Sequence, residues 1–253
     1  MLTEEEIAEI AQLIAENNET VDREIEGYIA TLRLLMQSKI LRELSRLPED
    51  RNLRQSEVIR LLGGLESIIV EDPEIEEHIL GIANIFNLQS RLSDRVYRLA
   101  NDNERPPEDV TRDAERRLAI FTNARQQNVE IMARAYANEV RQGLADSIMT
   151  EGTANDFSIT DIPAPRIFQA LDADLKTASS SFERIRALGQ RKKYVLYAGP
   201  RDSRNRPFCA QRVNKIFPLE VVYTWDNGQG IPAYLYCGGY GCRHQLVPVS
   251  RIR

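Results

Sequence analysis

The stretch Cys237-Gly238-Gly239-Tyr240-Gly241-Cys242-Arg243-His244 holds two of the three cysteines and one of the two histidines of the chain. The third cysteine, Cys209, lies upstream of it. Cys and His side chains bind zinc tetrahedrally, and four such groups can complete a closed structural site. The spacing of four residues and then one departs from the common paired arrangement, so buried cysteines without a metal are the alternative. The pattern predicts a metal-stapled module with Cys209, Cys237, Cys242 and His244 as ligands.

Short strands are predicted around this stretch. From Gly189 onward, helical patterns give way to short runs rich in β-branched and aromatic residues, separated by loop-forming residues. The predicted strands are Tyr194–Tyr197, Lys215–Phe217, Leu219–Tyr223, Ala233–Leu235 and Gln245–Val249. A module of about 60 residues with such short strands has a small core, so a metal would add stability that it needs.

A long helix is predicted at the N-terminus. Thr3 and Glu6 form a capping-box pattern. Apolar residues then recur every seven positions, at Ile7, Ile14, Val21, Tyr28 and Leu35. This repeat indicates one continuous helix that ends at about Leu47, before Pro48. Its apolar stripe needs a partner along its length, from this chain or from another copy.

Four further helices are predicted, at about residues 56–70, 73–104, 108–149 and 166–188. Asp72-Pro73 supplies the cap and first-turn signal of the second of these four. Arg105-Pro106-Pro107 ends it, and Gly152 ends the next one. His78 lies among glutamates, which favours a surface histidine over a ligand or a base.

These elements predict a mainly α protein with a small α+β module at the C-terminus. Residues 1–188 form a helical body with long amphipathic helices, and residues 189–253 form a basic, zinc-stabilised module with short strands. The three cysteines are confined to this module. An odd number in one segment fits reduced thiols or a metal better than a disulfide framework.

Charge divides the chain in the same way. From Arg184 onward there are 13 lysines and arginines against three acids, a balance of +10, while residues 1–183 carry −15. Such a basic segment could meet nucleic acid, with Arg191, Lys192 and Lys193 as the candidate contacts. The alternative is that it docks on the acidic half of this chain or of a neighbouring copy, because no nucleic-acid-reading fold signature accompanies the charge.

The sequence predicts a soluble protein made in the cytoplasm. No run of 18 apolar residues is present, and the N-terminus Met1-Leu2-Thr3-Glu4-Glu5-Glu6 lacks the features of a signal peptide. No contact with a membrane is therefore expected.

The C-terminal motifs resemble those of a phage protein family. The order is a strand, Asp202-x-Arg204-x-Arg206-Pro207, Cys209, then Gly239-Tyr240-Gly241-Cys242-Arg243-His244 and Val247-Pro248-Val249. It is similar to the C-terminal module of phage minor head proteins, the family of phage Mu protein F and the SPP1 head morphogenesis protein. The similarity covers about residues 190–250.

This chain departs from the family pattern at its ligand-type positions. Cys209 stands where the family usually has His, and His244 stands where it usually has a second Cys. Both departures exchange one zinc-type ligand for another, as a shared metal would tolerate. Cys237 stands where the family tends to have proline, and it would complete a Cys3His set.

The resemblance implies a non-catalytic virion structural protein, a minor head or portal-vertex component that acts in head assembly or head-tail connection. Its expected location is the capsid interior or the portal and neck, after synthesis in the host cytoplasm. The implied partners are the portal protein, capsid or neck proteins, further copies of this chain and the packaged DNA. The implied cofactor is a structural zinc ion.

Two other functions stay open at this point. One is a nucleic-acid-binding zinc module that contacts packaged DNA. The other is a zinc-dependent hydrolase or toxin-like domain, which a full thiolate-rich shell argues against because catalytic zinc needs an open position. Asp202, Arg204 and Arg206 could read a substrate or partner, but an internal Asp-Arg ion pair that braces the loop before Cys209 is the preferred interpretation.

Overall fold

The computed structural model describes residues 2–46, 55–151, 165–189 and 192–250. Within these residues the chain is mainly helical, with a small three-stranded antiparallel sheet near the C-terminus. The long helices are α1 (Glu4–Leu44), α2 (Gln55–Val70), α3 (Pro73–Leu80), α4 (Ile82–Ala100), α5 (Glu108–Glu151) and α6 (Pro165–Gly189). The C-terminal elements are β1 (Tyr194–Ala198), α7 (Pro207–Ala210), β2 (Lys215–Pro218), α8 (Leu219–Val222), α9 (Ala233–Tyr236) and β3 (Gln245–Val249).

Helix α1 begins at the predicted capping box. The Thr3 amide donates to Glu6 Oε2 at 2.6 Å, and the Glu6 amide donates to Thr3 Oγ1 at 3.1 Å. The seven-residue stripe faces inward, with Ile14 fully buried and Val21 and Tyr28 nearly so. The predicted end at Leu47 lies outside the described residues.

The single helix predicted from Pro73 to the break at Arg105 is wrong, because the structure divides it at Gly81. Asp72 caps α3 as predicted, with its Oδ1 accepting from the amides of Glu74 at 3.0 Å and Ile75 at 3.2 Å. Gly81 keeps right-handed angles, φ −59° and ψ −16°, and a Cβ there would lie 3.0 Å from the His78 carbonyl oxygen, so glycine relieves a tight contact at the junction of α3 and α4.

The sheet has the order β2-β1-β3. Its two faces bury different residues, as the twofold side-chain alternation of a strand requires. One face packs against α1 and α4 in an apolar cluster that contains Ile10, Ile14, Val96, Ala100, Leu196, Ala198, Val247 and Val249. The other face packs against the loops that carry the three cysteines, in a cluster that contains Val195, Tyr197, Val213, Val222 and Leu246.

Two predicted strands are wrong. Leu219–Val222 and Ala233–Tyr236 each form one turn of helix, although their composition favours strands. Each turn follows a proline, Pro218 or Pro232, with φ near −60°. Because strand propensity depends mainly on the packing surface available, local turns after proline override it here. The strands Tyr194–Ala198, Lys215–Pro218 and Gln245–Val249 confirm the other three predictions within a residue.

The chain forms two compact units. One contains residues 1–25, 83–122 and 173–253, and the other contains residues 26–82 and 123–172. The boundary predicted at residues 188 and 189 stays a prediction. The compact units divide the chain inside α1, α5 and α6 and at the start of α4. Within the described segments, none of the helices combines the length and the apolar content that crossing a bilayer requires.

Candidate metal centre

Three of the predicted ligands meet in one buried group. The sulfur atoms of Cys209 and Cys242 are 3.7 Å apart, and Cys242 Sγ lies 3.5 Å from Nδ1 of His244. One ligand atom from each of the three residues lies within 4.8 Å of the other two. All three side chains are buried, and no disulfide joins the cysteines. The structure thus brings together residues that lie far apart in the sequence.

The local sequence positions each ligand. Cys209 lies in the one-turn helix α7, which begins at Pro207, where a proline fits the first helical position. Cys242 and His244 lie between α9 and β3. At Gly199, with φ +152°, a Cβ would lie 2.8 Å from the His244 ring, so the end of β1 can approach the histidine only without a side chain.

Two of the three ligand separations are close to those expected for tetrahedral zinc ligands. With Zn–S bonds of about 2.3 Å and Zn–N bonds of about 2.0 Å, tetrahedral ligands place two sulfur atoms about 3.8 Å apart and a sulfur and a nitrogen about 3.5 Å apart. The observed separations are 3.7 Å between Cys209 Sγ and Cys242 Sγ, and 3.5 Å between Cys242 Sγ and His244 Nδ1. The third pair, Cys209 and His244, has ligand atoms within 4.8 Å of each other, so the donor set of two thiols and one imidazole could hold a metal ion.

The second ring nitrogen of His244 has its own partner. Nε2 lies 3.0 Å from the carbonyl oxygen of Pro200, which can only accept, so Nε2 carries the proton and Nδ1 is left as the metal-facing lone pair. This arrangement is typical of ligating histidines, whose outer hydrogen bond fixes the tautomer and the ring orientation. The ring also stacks on Tyr197, with centroids 5.2 Å apart.

The sulfur atoms receive hydrogen bonds from nearby groups. The Gly238 amide donates to Cys242 Sγ at 3.3 Å, and the Tyr197 hydroxyl donates to Cys209 Sγ at 3.3 Å. A Cβ at position 238 would lie 2.2 Å from Cys209 Sγ, so this turn packs directly on the sulfur pair. Both donors would stabilise thiolates once a cation is bound.

Electrostatics favour a neutral Cys209 thiol in the absence of a cation. The hydrogen bond with the sulfur of Cys242, together with burial, raises the pKa of the Cys209 thiol far above its ordinary value. Burial raises the pKa of the Tyr197 hydroxyl, and the sulfur atoms of Cys237 and Cys242 add to that shift. A metal ion supplies the positive charge that makes thiolates stable here, so metal binding would release protons.

Cys237, the fourth predicted ligand, lies next to this group rather than in it. Its side chain is fully buried in the same apolar cluster as Cys209 and Cys242. Its sulfur is not within 4.8 Å of all three other ligand atoms. The structure therefore groups three of the four predicted ligands.

The polar residues before Cys209 brace the loops around the group. Asp202 accepts two hydrogen bonds from Arg243, at 2.7 and 2.8 Å, and these lower the pKa of Asp202 to about 2. Arg204 contributes its amide, 3.0 Å from Asp202 Oδ1, and a longer ion pair at 3.8 Å. Arg206 donates to the carbonyls of Gly238 at 2.7 Å and Tyr240 at 2.8 Å. The main ion-pair partner of Asp202 is thus Arg243, which lies outside the predicted trio.

The candidate nucleic-acid contacts differ from one another. Lys192 donates to Ser250 Oγ at 2.6 Å and lies 3.8 Å from Glu104, so an acid of this chain already faces it. Lys193 is exposed. Arg191 lies outside the described residues.

Sequence reasoning missed several residues that surround the group. Tyr197 was expected only as a strand residue, and the Pro200 carbonyl carries no side-chain signal. Asn18 of α1 donates to the carbonyl of Arg243 at 2.9 Å. Gly199 and the doublet Gly238-Gly239 are the signals in the sequence for a close backbone approach to this group.

Comparisons with protein-family models, with curated proteins and with solved structures found no match for this chain.

Proposed function

We propose that this protein is a non-catalytic structural component of a phage particle, a minor head or portal-vertex protein whose C-terminal module is held by zinc. The observation that carries the proposal is the meeting of Cys209, Cys242 and His244 in one buried group. These residues occupy the family's ligand-type positions, two of them with the ligand type exchanged. An exchange between Cys and His is tolerated when both bind the same ion.

The surroundings of the group favour a structural role over turnover. Cys209, Cys242 and His244 are 2%, 7% and 2% exposed. Metal-assisted hydrolysis needs an open position and a general base, yet the group contains no carboxylate, and Arg243 already engages Asp202. The hydrogen bonds from Gly238, Tyr197 and Arg206 hold the loops in place, as expected of a folding site.

Two measurements on the purified chain test the zinc and the assembly. Elemental analysis should give one zinc per chain, and native mass spectrometry should give a ring-sized oligomer. Reduced, folded protein that contains no metal would contradict the proposed zinc site. A chain that stays monomeric at all concentrations would contradict the proposed homo-oligomer.

A third measurement tests the virion assignment. Quantitative mass spectrometry of particles from the phage that encodes the chain should detect it at low copy number relative to the capsid protein. If the chain is absent from purified particles, the proposed role in the virion is wrong, whether or not the chain binds metal.

Contact with packaged DNA is the second candidate, and two exposed cations support it. The side chain of Arg204 is 75% exposed and Lys193 is exposed in the basic segment. Binding of a duplex oligonucleotide should then weaken steeply with salt, and Lys193→Ala with Arg204→Ala should reduce the slope. If the duplex does not bind at low salt, contact with packaged DNA is excluded as a function of this surface.

A further inference from the structure

Cys237 occupies a backbone conformation that L-residues rarely adopt. Its φ is 48° and its ψ is −116°. The Gly239 amide donates to the Tyr236 carbonyl at 2.8 Å, which closes a four-residue turn with Cys237 at the first central position. These angles are those of a type II′ turn, whose first central position normally holds glycine. The chain thus places a cysteine where glycine would be strain-free.

Hydrogen bonds hold the strained backbone on both sides. The Cys237 amide donates to the Ala233 carbonyl at 2.7 Å, and its carbonyl accepts from Asn227 Nδ2 at 3.1 Å. Strained residues that are over-determined in this way cluster at functional sites. Burial alone does not explain the cysteine, because glycine would satisfy the same backbone without strain.

The Cys237 side chain shares the pocket of the three grouped ligands. It belongs to the same buried cluster as Cys209 and Cys242. The next residue, Gly238, lies directly against the group, because its amide donates to Cys242 Sγ at 3.3 Å. A change of χ1 moves a cysteine sulfur by about 3 Å without moving the backbone.

We propose that Cys237 supplies the fourth metal ligand when the ion binds, so that the strained turn exists to bring its thiolate to the group of Cys209, Cys242 and His244. This inference rests on the metal site of the proposed function. Three protein ligands alone would leave an open position, as in catalytic zinc sites. The fourth ligand closes the shell as Cys3His and leaves no position for a reacting water.

The test titrates the full-length, reduced chain with Co²⁺ and then with zinc as competitor. The variants are Cys237→Gly, which removes the thiol and the strain together, and Asn103→Gly, which removes a similar positive φ of 64° at an exposed position after α4. Cys242→Ala is a third variant, which removes a sulfur that already lies in the group of three candidate ligands. Sulfur-to-metal charge-transfer absorption counts the thiolates.

Cys237→Gly should lower the charge-transfer absorption per bound cobalt by about one third, because three thiolates become two. Its zinc affinity should fall by more than the roughly 10–100-fold typical of outer-shell changes. Asn103→Gly should leave both quantities unchanged.

Wild-type absorption and affinity in Cys237→Gly, with their loss in Cys242→Ala, would overturn the fourth ligand and leave the three-ligand site standing. If the wild-type chain binds neither Co²⁺ nor zinc, both the fourth ligand and the three-ligand metal site are wrong. Far-UV circular dichroism of each variant before titration separates loss of a ligand from loss of the fold, and an unfolded Cys237→Gly would be replaced by Cys237→Ala under the same criteria.

Discussion

Gly238→Ala should strongly weaken zinc binding at the proposed site, because the added methyl group would occupy the space of a ligand. The new Cβ would lie 2.2 Å from Cys209 Sγ and 3.4 Å from Cys242 Sγ. Ordinary contact distances begin at about 3.5 Å, so the Cys209 sulfur would have to move by about 1.3 Å. Metal-ligand distances vary by only about 0.2 Å around their ideal values. The displacement is several times this tolerance.

The size of the effect differs between the metal-free and the metal-bound protein. Without metal, Cys209 can rotate away, so the cost is that of an overpacked core, about 1–3 kcal/mol. With metal, a ligand is lost or displaced. We expect zinc affinity to fall by at least about 100-fold, which corresponds to about 2.8 kcal/mol at about 1.4 kcal/mol per tenfold change. The thermal midpoint should therefore drop further in the zinc-loaded form than in the chelated form.

Gly241→Ala is the matched control. Gly241 lies in the same loop with φ +66°, and a Cβ there would meet nothing within 4 Å. Alanine should cost about 1–2 kcal/mol of backbone strain and leave zinc affinity unchanged. Isothermal titration with zinc, together with melting curves with and without chelator, measures both effects. A Gly238→Ala protein with zinc affinity within threefold of wild type would refute the reasoning.

Three further outcomes are expected. Cys209→Ser, or chelation of the wild type, should expose the amides of β1 and β3 to hydrogen exchange and also loosen α4, because the sheet packs on that helix; protection of α4 unchanged from the zinc form would contradict this. The pKa of Asp72 is lowered because hydrogen bonds from Lys39 and two amides outweigh the effect of burial, so its stabilising contribution is present above its ordinary pKa of 3.8 and lost as pH falls below it. Asp72→Asn should destabilise the chain to urea at pH 7 more than at pH 3, and an equal loss at both would refute it. Asn101→Ala should cost about 2–3 kcal/mol, because its buried amide donates to the Pro248 carbonyl at 2.8 Å and accepts from the Ser250 amide at 3.0 Å; a urea midpoint like that of wild type would be inconsistent with this.

The sequence was most informative where periodicity was long. The seven-residue repeat of α1 and the capping box at Thr3 and Glu6 predict a helix that the structure bears out, because a long stripe leaves few alternatives. Gly81 shows the limit of this reasoning. A single glycine inside a helical pattern is usually tolerated, so the sequence did not indicate that one helix would end at Leu80 and the next begin at Ile82.

In the C-terminal region, prolines indicated helical turns in segments whose composition favours strands. Each one-turn helix begins at or directly after a proline, namely Pro207, Pro218 or Pro232. Val221 and Val222 favour a strand by composition, yet only Val222 is buried. Proline restricts its own φ to helical values, so these positions could have been predicted as turns.

The gathering of Cys and His side chains in the C-terminal region could be predicted from sequence, but its geometry could not. The residue types and order around Cys242 favour a metal site, and the structure brings three of the four predicted residues into one buried group that could hold an ion. Which of the four residues lie within reach of one another depends on the loop conformations, and these depend on the turn at Cys237 and on Asp202 with Arg243. None of these contacts has a periodic signature.

The hydrogen bond from Asn18 to the Arg243 carbonyl joins residues 225 positions apart in the chain. During synthesis, the ribosome therefore releases α1 long before its partner loop exists. The central strand β1 likewise waits for β3, which is made last of the three. Contacts of such long range form slowly, because loop closure must precede them. The nascent chain consequently exposes the sheet-facing apolar side of α1 and α4 until β3 has been made, so we expect this surface to need protection from aggregation during translation. An ion at the proposed metal site could be held only after Cys242 and His244 have been made.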